Sequence, residues 1–183
     1  MEEVVTAGVE NALQAVEACG HGTVFLDIGP TGKLLRPLGE LDFEEAVSAF
    51  GEMVQAGCRA GAQGILLETM SDIYEAKAAL LAAKENSDLP VFVTIAVDES
   101  GHTVTGSSLL PVVITLQAMG VDAIGLNCLL DPMLPLIEEV CLHTAVPIIA
   151  KPDVRSSDET LLTPESFAQK MRLLMQAGAR IVG

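Results

Sequence analysis

The sequence predicts an α/β fold built on a parallel sheet of about six strand–helix units, and three observations predict it. Helix-like and strand-like segments alternate along all 183 residues. Half of the residues are hydrophobic and the mean hydropathy is +0.44, as expected where strands are buried on both faces of a parallel sheet. No Asn-Gly or similar tight turn joins one strand to the next, so strands return through helical crossovers rather than hairpins.

The elements follow in order. Glu2 to Cys19 reads as a helix. Thr23-Val-Phe-Leu-Asp-Ile28 reads as a strand ending in Gly29-Pro-Thr-Gly32. Asp42 is placed as an N-cap with Glu45 at capping-box spacing, and that helix runs to about Gly57. Gly64 to Glu68 is the next strand; Asp72 to Lys84 is a helix rich in Ala, Leu, Lys and Glu. Pro90 to Val97 is a strand that Asp98-Glu-Ser-Gly101 breaks, and a polar loop runs on to Ser108. Leu109 to Met119 is helical by length and position despite its β-branched residues. Asp122 to Leu126 is a strand, Pro132 to Thr144 a helix, and Pro147 to Ala150 a strand. After a polar loop from Lys151 to Leu162, Thr163 as N-cap and Pro164 at N1 open the last helix. Ala179 to Gly183 is the final strand. Pairs such as Ala56-Gly57, Ala60-Gly61, Met119-Gly120 and Ala177-Gly178 mark helix ends turning inward. No linker or low-complexity tract divides residues 1–183, so they are expected to form one domain or part of one.

Composition excludes several function classes. The formal net charge is −15 and the pI about 4.3, a surface that repels phosphate backbones and anionic lipid. Neither nucleic acid nor a membrane is an expected partner. No apolar run is long enough to span a bilayer, and Met1-Glu2-Glu3 opens no signal segment, so a cytoplasmic protein is expected. Cys19, Cys58, Cys128 and Cys141 form no Cys-x-x-Cys pair and read as free thiols.

A doubly wound open sheet and a closed barrel both fit the alternation. Gly29-Pro-Thr-Gly32 is not a dinucleotide fingerprint, and no Gly-Lys-Ser/Thr phosphate loop is present. The chemistry-bearing residues lie just after strands: Asp27, then Glu68-Thr-Met-Ser-Asp72, then Asp98 and Thr103 to Ser107, then Asn127-Cys128, then Lys151 and Asp153. Parallel strands bring such residues to one rim. Glu68 is placed to hold a ligand ammonium group or, equally, to be a buried acid bonded to backbone N–H groups. Cys128 is a nucleophile, a metal ligand or a small apolar core residue. Lys151 suits Schiff-base chemistry only if buried. His21, His102 and His143 fall before a strand, in a loop and at a helix end.

Taken together, Asp27-Ile-Gly-Pro-Thr-Gly-Lys33, Leu35-Arg-Pro-Leu-Gly39, Leu67-Glu-Thr-Met-Ser-Asp72, Glu75-Ala-Lys-Ala-Ala-Leu-Leu-Ala-Ala-Lys84, Pro90-Val-Phe-Val-Thr94, Asp98-Glu-Ser-Gly-His-Thr-Val-Thr-Gly106 and Gly125-Leu-Asn-Cys128 resemble one family. It is the homocysteine S-methyltransferase family, whose domain also binds homocysteine in cobalamin-dependent methionine synthase. The resemblance covers nearly the whole chain. It implies a (β/α)8 TIM-barrel fold, here incomplete with about six βα units, since such barrels typically need about 250 residues. It implies that Cys128 is a zinc ligand and that Glu68 holds the substrate amino group, with Thr69, Asn127 and Asp27 also on the substrate. It implies zinc as cofactor, homocysteine as methyl acceptor, and a corrinoid or other methyl donor presented by a corrinoid-binding or folate-binding domain or protein.

The departures set further expectations. Gly183 stands where the family begins a Gly-Gly-Cys-Cys motif carrying two more zinc ligands, and the Asp-Gly-Ala start of the family is not seen. Leu129-Leu-Asp-Pro132 replaces a Gly-rich turn, and Lys151-Pro-Asp-Val154 replaces Pro-Asn-Ala-Gly. The expectation is therefore a barrel truncated at both ends, with little or no methyl transfer by the chain alone. The alternative is a degenerate, non-catalytic relative that binds a small amino acid or thiol or docks on a corrinoid protein. Unpaired edge strands are expected to promote self-association.

Overall fold

A computed structural model describes residues 1–128, 133–155 and 160–183. The elements are α1 (Glu2–Cys19), β1 (Phe25–Ile28), α2 (Phe43–Arg59), β2 (Gly64–Met70), α3 (Ile73–Asn86), β3 (Val91–Ile95), α4 (Leu109–Ala118), β4 (Ala123–Asn127), α5 (Met133–Cys141), β5 (Ile148–Lys151), α6 (Pro164–Gln176) and β6 (Ile181–Val182). The strands take the order β1-β2-β3-β4-β5-β6 in a six-stranded sheet. This is the expected α/β fold of repeated strand–helix units.

Local chemistry explains the helix ends. Asp42 accepts from the Glu44 N–H at 3.1 Å, and Glu45 reaches back to the Asp42 N–H at 3.4 Å, completing the capping box. Thr163 accepts from the Ser166 N–H with Pro164 inside the first turn of α6. Gly20, in the left-handed region at φ 76°, closes α1. Asp42→Ala is expected to cost about 1 kcal/mol of stability, read from urea unfolding, because it strands N–H groups at the start of α2.

Several expected boundaries move. Thr23 and Val24 precede β1, and the Val24 N–H is bonded to the Gln63 side chain instead. β2 runs past Glu68 to Met70 because the Met70 carbonyl still accepts from Ala96 at 2.9 Å. α5 stops at Cys141 rather than Thr144. Gly57 does not end a helix. It lies inside α2, where an added Cβ would sit 2.5 Å from Leu26, so it is a close-packing position. Gly61, Gly120 and Gly178 do turn the chain at positive φ. Pro132, the Leu129–Pro132 turn and residues 156–159 of the expected polar loop lie outside the described residues.

The chain divides into two compact units. The first comprises Met1–Glu68 and Tyr74–Phe92. Here β1 and β2 pair in parallel from Phe25↔Gly64 to Ile28↔Leu67. The bare Gly64 leaves room for the Phe25 ring, which stacks tilted on Phe92 at 4.7 Å. Ile28, Phe50, Val54, Ile65, Leu67 and Leu80 form its core. The second unit comprises Thr69–Ile73 and Val93–Gly183. β4 and β5 pair in parallel from Ile124↔Ile148 to Asn127↔Lys151, and β6 extends the ladder through Ile149↔Ile181 and Ala150↔Val182. Every residue of β4 is buried, as a strand covered on both faces requires.

Candidate functional site

In the second unit the carboxyl tips of β2, β3 and β4 carry a linked set of polar groups. Thr94, fully buried in β3, accepts a hydrogen bond from the Thr69 N–H at 3.1 Å through its hydroxyl. The Thr69 hydroxyl accepts in turn from the Asn127 side-chain amide. The same amide nitrogen lies 3.3 Å from the Cys128 sulfur. The sulfur is the acceptor and the amide N–H the donor.

Two features mark this cluster as more than packing. Thr69 and Cys128 both adopt left-handed backbone, at φ 61° and 67°, and among the described residues they are the non-glycine residues with positive φ. For a β-branched residue that conformation costs about 1–2 kcal/mol, a strain that collects at functional sites. Asn127 is 5% exposed, and its carbonyl Oδ1 is buried with no hydrogen-bond partner. An unmet acceptor of this kind costs about 1–3 kcal/mol and calls for an explanation.

Of the residues expected on the rim, Thr69, Asn127 and Cys128 are brought together. Cys128 is exposed, which removes its alternative as a buried core residue. Asp27, in β1, is exposed, and Glu68, in β2, is half-buried; both belong to the first unit. Lys151 is only half-buried, and its carbonyl accepts from the Cys128 N–H at 3.1 Å, so its backbone serves the site. Asp153 is exposed and bonds locally to the Arg155 N–H. Cys141 is half-buried in α5 and donates to the Ala177 carbonyl; burial raises its thiol above the ordinary value, which suits a packing role. Sequence reasoning names Thr94 only as the end of Pro90-Val-Phe-Val-Thr94 and gives it no role. Its signal was a single hydroxyl inside the apolar run Val91-Phe-Val-Thr-Ile95.

The loop from β3 to α4 is clasped by its own side chains. Asp98 Oδ1 accepts from the Ser100 N–H, the Ser100 hydroxyl and the His102 N–H at 2.7–2.9 Å. Because Ser100 spends its proton on Asp98, His102 Nδ1 donates to Ser100, 2.9 Å away, leaving Nε2 toward the Ser108 hydroxyl at 3.3 Å. Thr105 ties the loop to the buried Asp72 at 2.8 Å. The His102 N–H, then the Ser100 hydroxyl, hold the Asp98 carboxyl below its ordinary value of 3.8. A depressed carboxylate contributes stability that is present above its unfolded pKa and lost as pH falls through the folded one. Amide protection of Ser100 and His102 is therefore expected to hold at neutral pH and to fall below pH 3.8. Asp98→Asn should lower that protection already at pH 7.

A profile of the homocysteine S-methyltransferase family matches residues 1–183. The chain belongs to the homocysteine S-methyltransferase family. Among its relatives is the methionine synthase of Mycobacterium leprae, 27% identical over 170 residues, or 85% of this chain and 14% of that protein. The Mycobacterium tuberculosis methionine synthase matches to the same extent. The chain thus spans about one-seventh of these curated relatives. Among solved structures, the apo homocysteine methyltransferase MmuM of Escherichia coli superposes with a TM-score of 0.83 at 23% identity, covering 100% of this chain and 66% of that one. Its metallated form gives a TM-score of 0.80. The likeness in fold agrees with an incomplete barrel.

Within this family member, the described residues do not make up a metal centre. Among them, no three His, Cys, Asp or Glu side chains converge, whereas catalytic zinc takes about three protein ligands. Cys128 offers one sulfur. Among the described residues, no helix is long and apolar enough to cross a membrane.

Proposed function

We propose that this chain carries the homocysteine-holding part of a homocysteine S-methyltransferase barrel. The buried, partnerless Asn127 Oδ1 beside Thr69 and Cys128 carries the proposal. An alkylammonium group of an amino-acid thiol supplies the missing donor, and Glu68, the residue before Thr69, is assigned to the same amino group by resemblance. Asp27 is assigned to substrate on the same ground. The chain's part is to bind and orient the acceptor so that its sulfur lies toward Cys128.

Zinc, where the full ligand set is present, favours the thiolate form of a bound thiol. With no three His, Cys, Asp or Glu side chains converging among the described residues, the chain is proposed to hold zinc weakly at Cys128 and to transfer methyl groups slowly or not at all. The methyl donor, a corrinoid or another carrier, is proposed to come from a separate domain or protein, in keeping with the small share of the methionine synthases that the chain spans.

Calorimetric titration tests both halves. L-homocysteine added to the metal-free chain is expected to bind saturably, while zinc added alone is expected not to bind tightly. Absence of homocysteine binding overturns the substrate assignment. Tight zinc binding at one equivalent overturns the weak-metal assignment.

A further inference from the structure

We propose that Thr94 is a positioning residue that sets the substrate-facing amide of Asn127 through Thr69. The inference rests on the homocysteine-holding function proposed above and deepens it. Thr94 touches neither Asn127 nor Cys128 in the bonds described. It acts one link away, from a position in β3 with no exposure at all.

The linkage is stepwise. The Thr94 hydroxyl accepts from the Thr69 N–H at 3.1 Å. That bond rewards Thr69 for left-handed backbone, φ 61°, which a β-branched residue otherwise avoids. In that conformation the Thr69 hydroxyl meets the Asn127 amide nitrogen. With its nitrogen committed to Thr69 and the Cys128 sulfur, the amide keeps Oδ1 as the free acceptor. Remove the Thr94 hydroxyl and Thr69 loses its reason to stay strained. Its hydroxyl then leaves Asn127, and the amide is free to turn over. A buried threonine that merely filled space would do none of this, since valine fills the same volume.

The experiment compares Thr94→Val, which keeps the shape, with Thr94→Ser, which keeps the hydroxyl. Two quantities are read: the side-chain amide NMR signals of Asn127 in the free protein, and L-homocysteine affinity. In Thr94→Val the Asn127 signals are expected to shift and to lose at least about tenfold of their exchange protection, and affinity is expected to fall about 5- to 20-fold, as for loss of a buried hydrogen bond. Thr94→Ser is expected to restore both. Should Thr94→Val not fold, Thr94→Ala is read in the same way. Wild-type Asn127 signals in a folded Thr94→Val or Thr94→Ala protein overturn the proposal, as does a failure of Thr94→Ser to rescue. If the wild-type chain binds no homocysteine, the functional reading falls, and the Asn127 signals alone still decide the role of Thr94.

Discussion

Gly125→Ala is expected to abolish the cooperative fold of the second unit. Gly125 sits mid-way along β4, opposite Ile149 of β5, and it is fully enclosed. A methyl group there would fall far inside the van der Waals contact distance of the Ile149 backbone carbonyl oxygen. Backbone cannot swing aside as the end of a side chain can. The two strands must part, breaking ladder bonds and opening the layer of Ile124, Leu126, Ile148 and Ile149. The cost should exceed about 4 kcal/mol, a large share of the roughly 5–15 kcal/mol that holds a typical domain. Gly8→Ala is the contrasting control. Gly8 lies in α1 with open space around it, so the same methyl should stabilise by up to about 1 kcal/mol through better helix propensity. Chemical unfolding followed by circular dichroism reads both. A Gly125→Ala protein that unfolds cooperatively within about 1 kcal/mol of wild type would contradict the close approach of β4 and β5.

Asn127→Leu is expected to do the reverse: weaken ligand binding and leave the fold intact. Leucine matches asparagine in shape but neither donates to Thr69 and Cys128 nor offers Oδ1. Loss of a buried acceptor that a ligand ammonium would otherwise meet corresponds to about 1–3 kcal/mol, or about 5- to 150-fold in L-homocysteine affinity. Stability should stay within about 1 kcal/mol, because the substitution also relieves a buried oxygen that has no partner in the free protein. A site that weakens the fold until its ligand arrives shows this pairing of lost binding with kept stability. Unchanged homocysteine affinity in Asn127→Leu would remove Asn127 from the site.

Much of the architecture was legible residue by residue. Asp42 with Glu45 and Thr163 with Pro164 announced two helix starts, and both caps form. These signals are local, within one turn of chain, so they survive without knowledge of the rest. Gly57 was misread for the opposite reason. Its neighbour Gly61 does end a turn, but Gly57 is bare because Leu26, thirty-one residues earlier, packs on it. The extra length of β2 likewise depends on Ala96, a partner no local pattern reveals.

The site divides along the same line. Asn127, Cys128 and Thr69 stand out as candidates because parallel strands send their carboxyl tips to one edge, and the residue types at those tips can be read from the chain. For Cys128 the chain alone leaves nucleophile, metal ligand and core residue open; its exposure, visible only in three dimensions, removes the core reading. Thr94, though it closes the Pro90-Val-Phe-Val-Thr94 stretch, has no role legible in the sequence because a hydroxyl in an apolar strand has no meaning until its oxygen is seen facing the Thr69 N–H.

By itself, the order of residues determined the alternation of strands and helices, the helix caps, the acidic surface and the family. These depend on short-range periodicity, local hydrogen bonding, summed charge and contiguous motifs. Only the tertiary structure decided which strand tips bond to one another, where the backbone is strained, and which buried oxygen has no partner. Those properties arise between segments far apart in the chain, where a shift of one residue in register would pair different atoms.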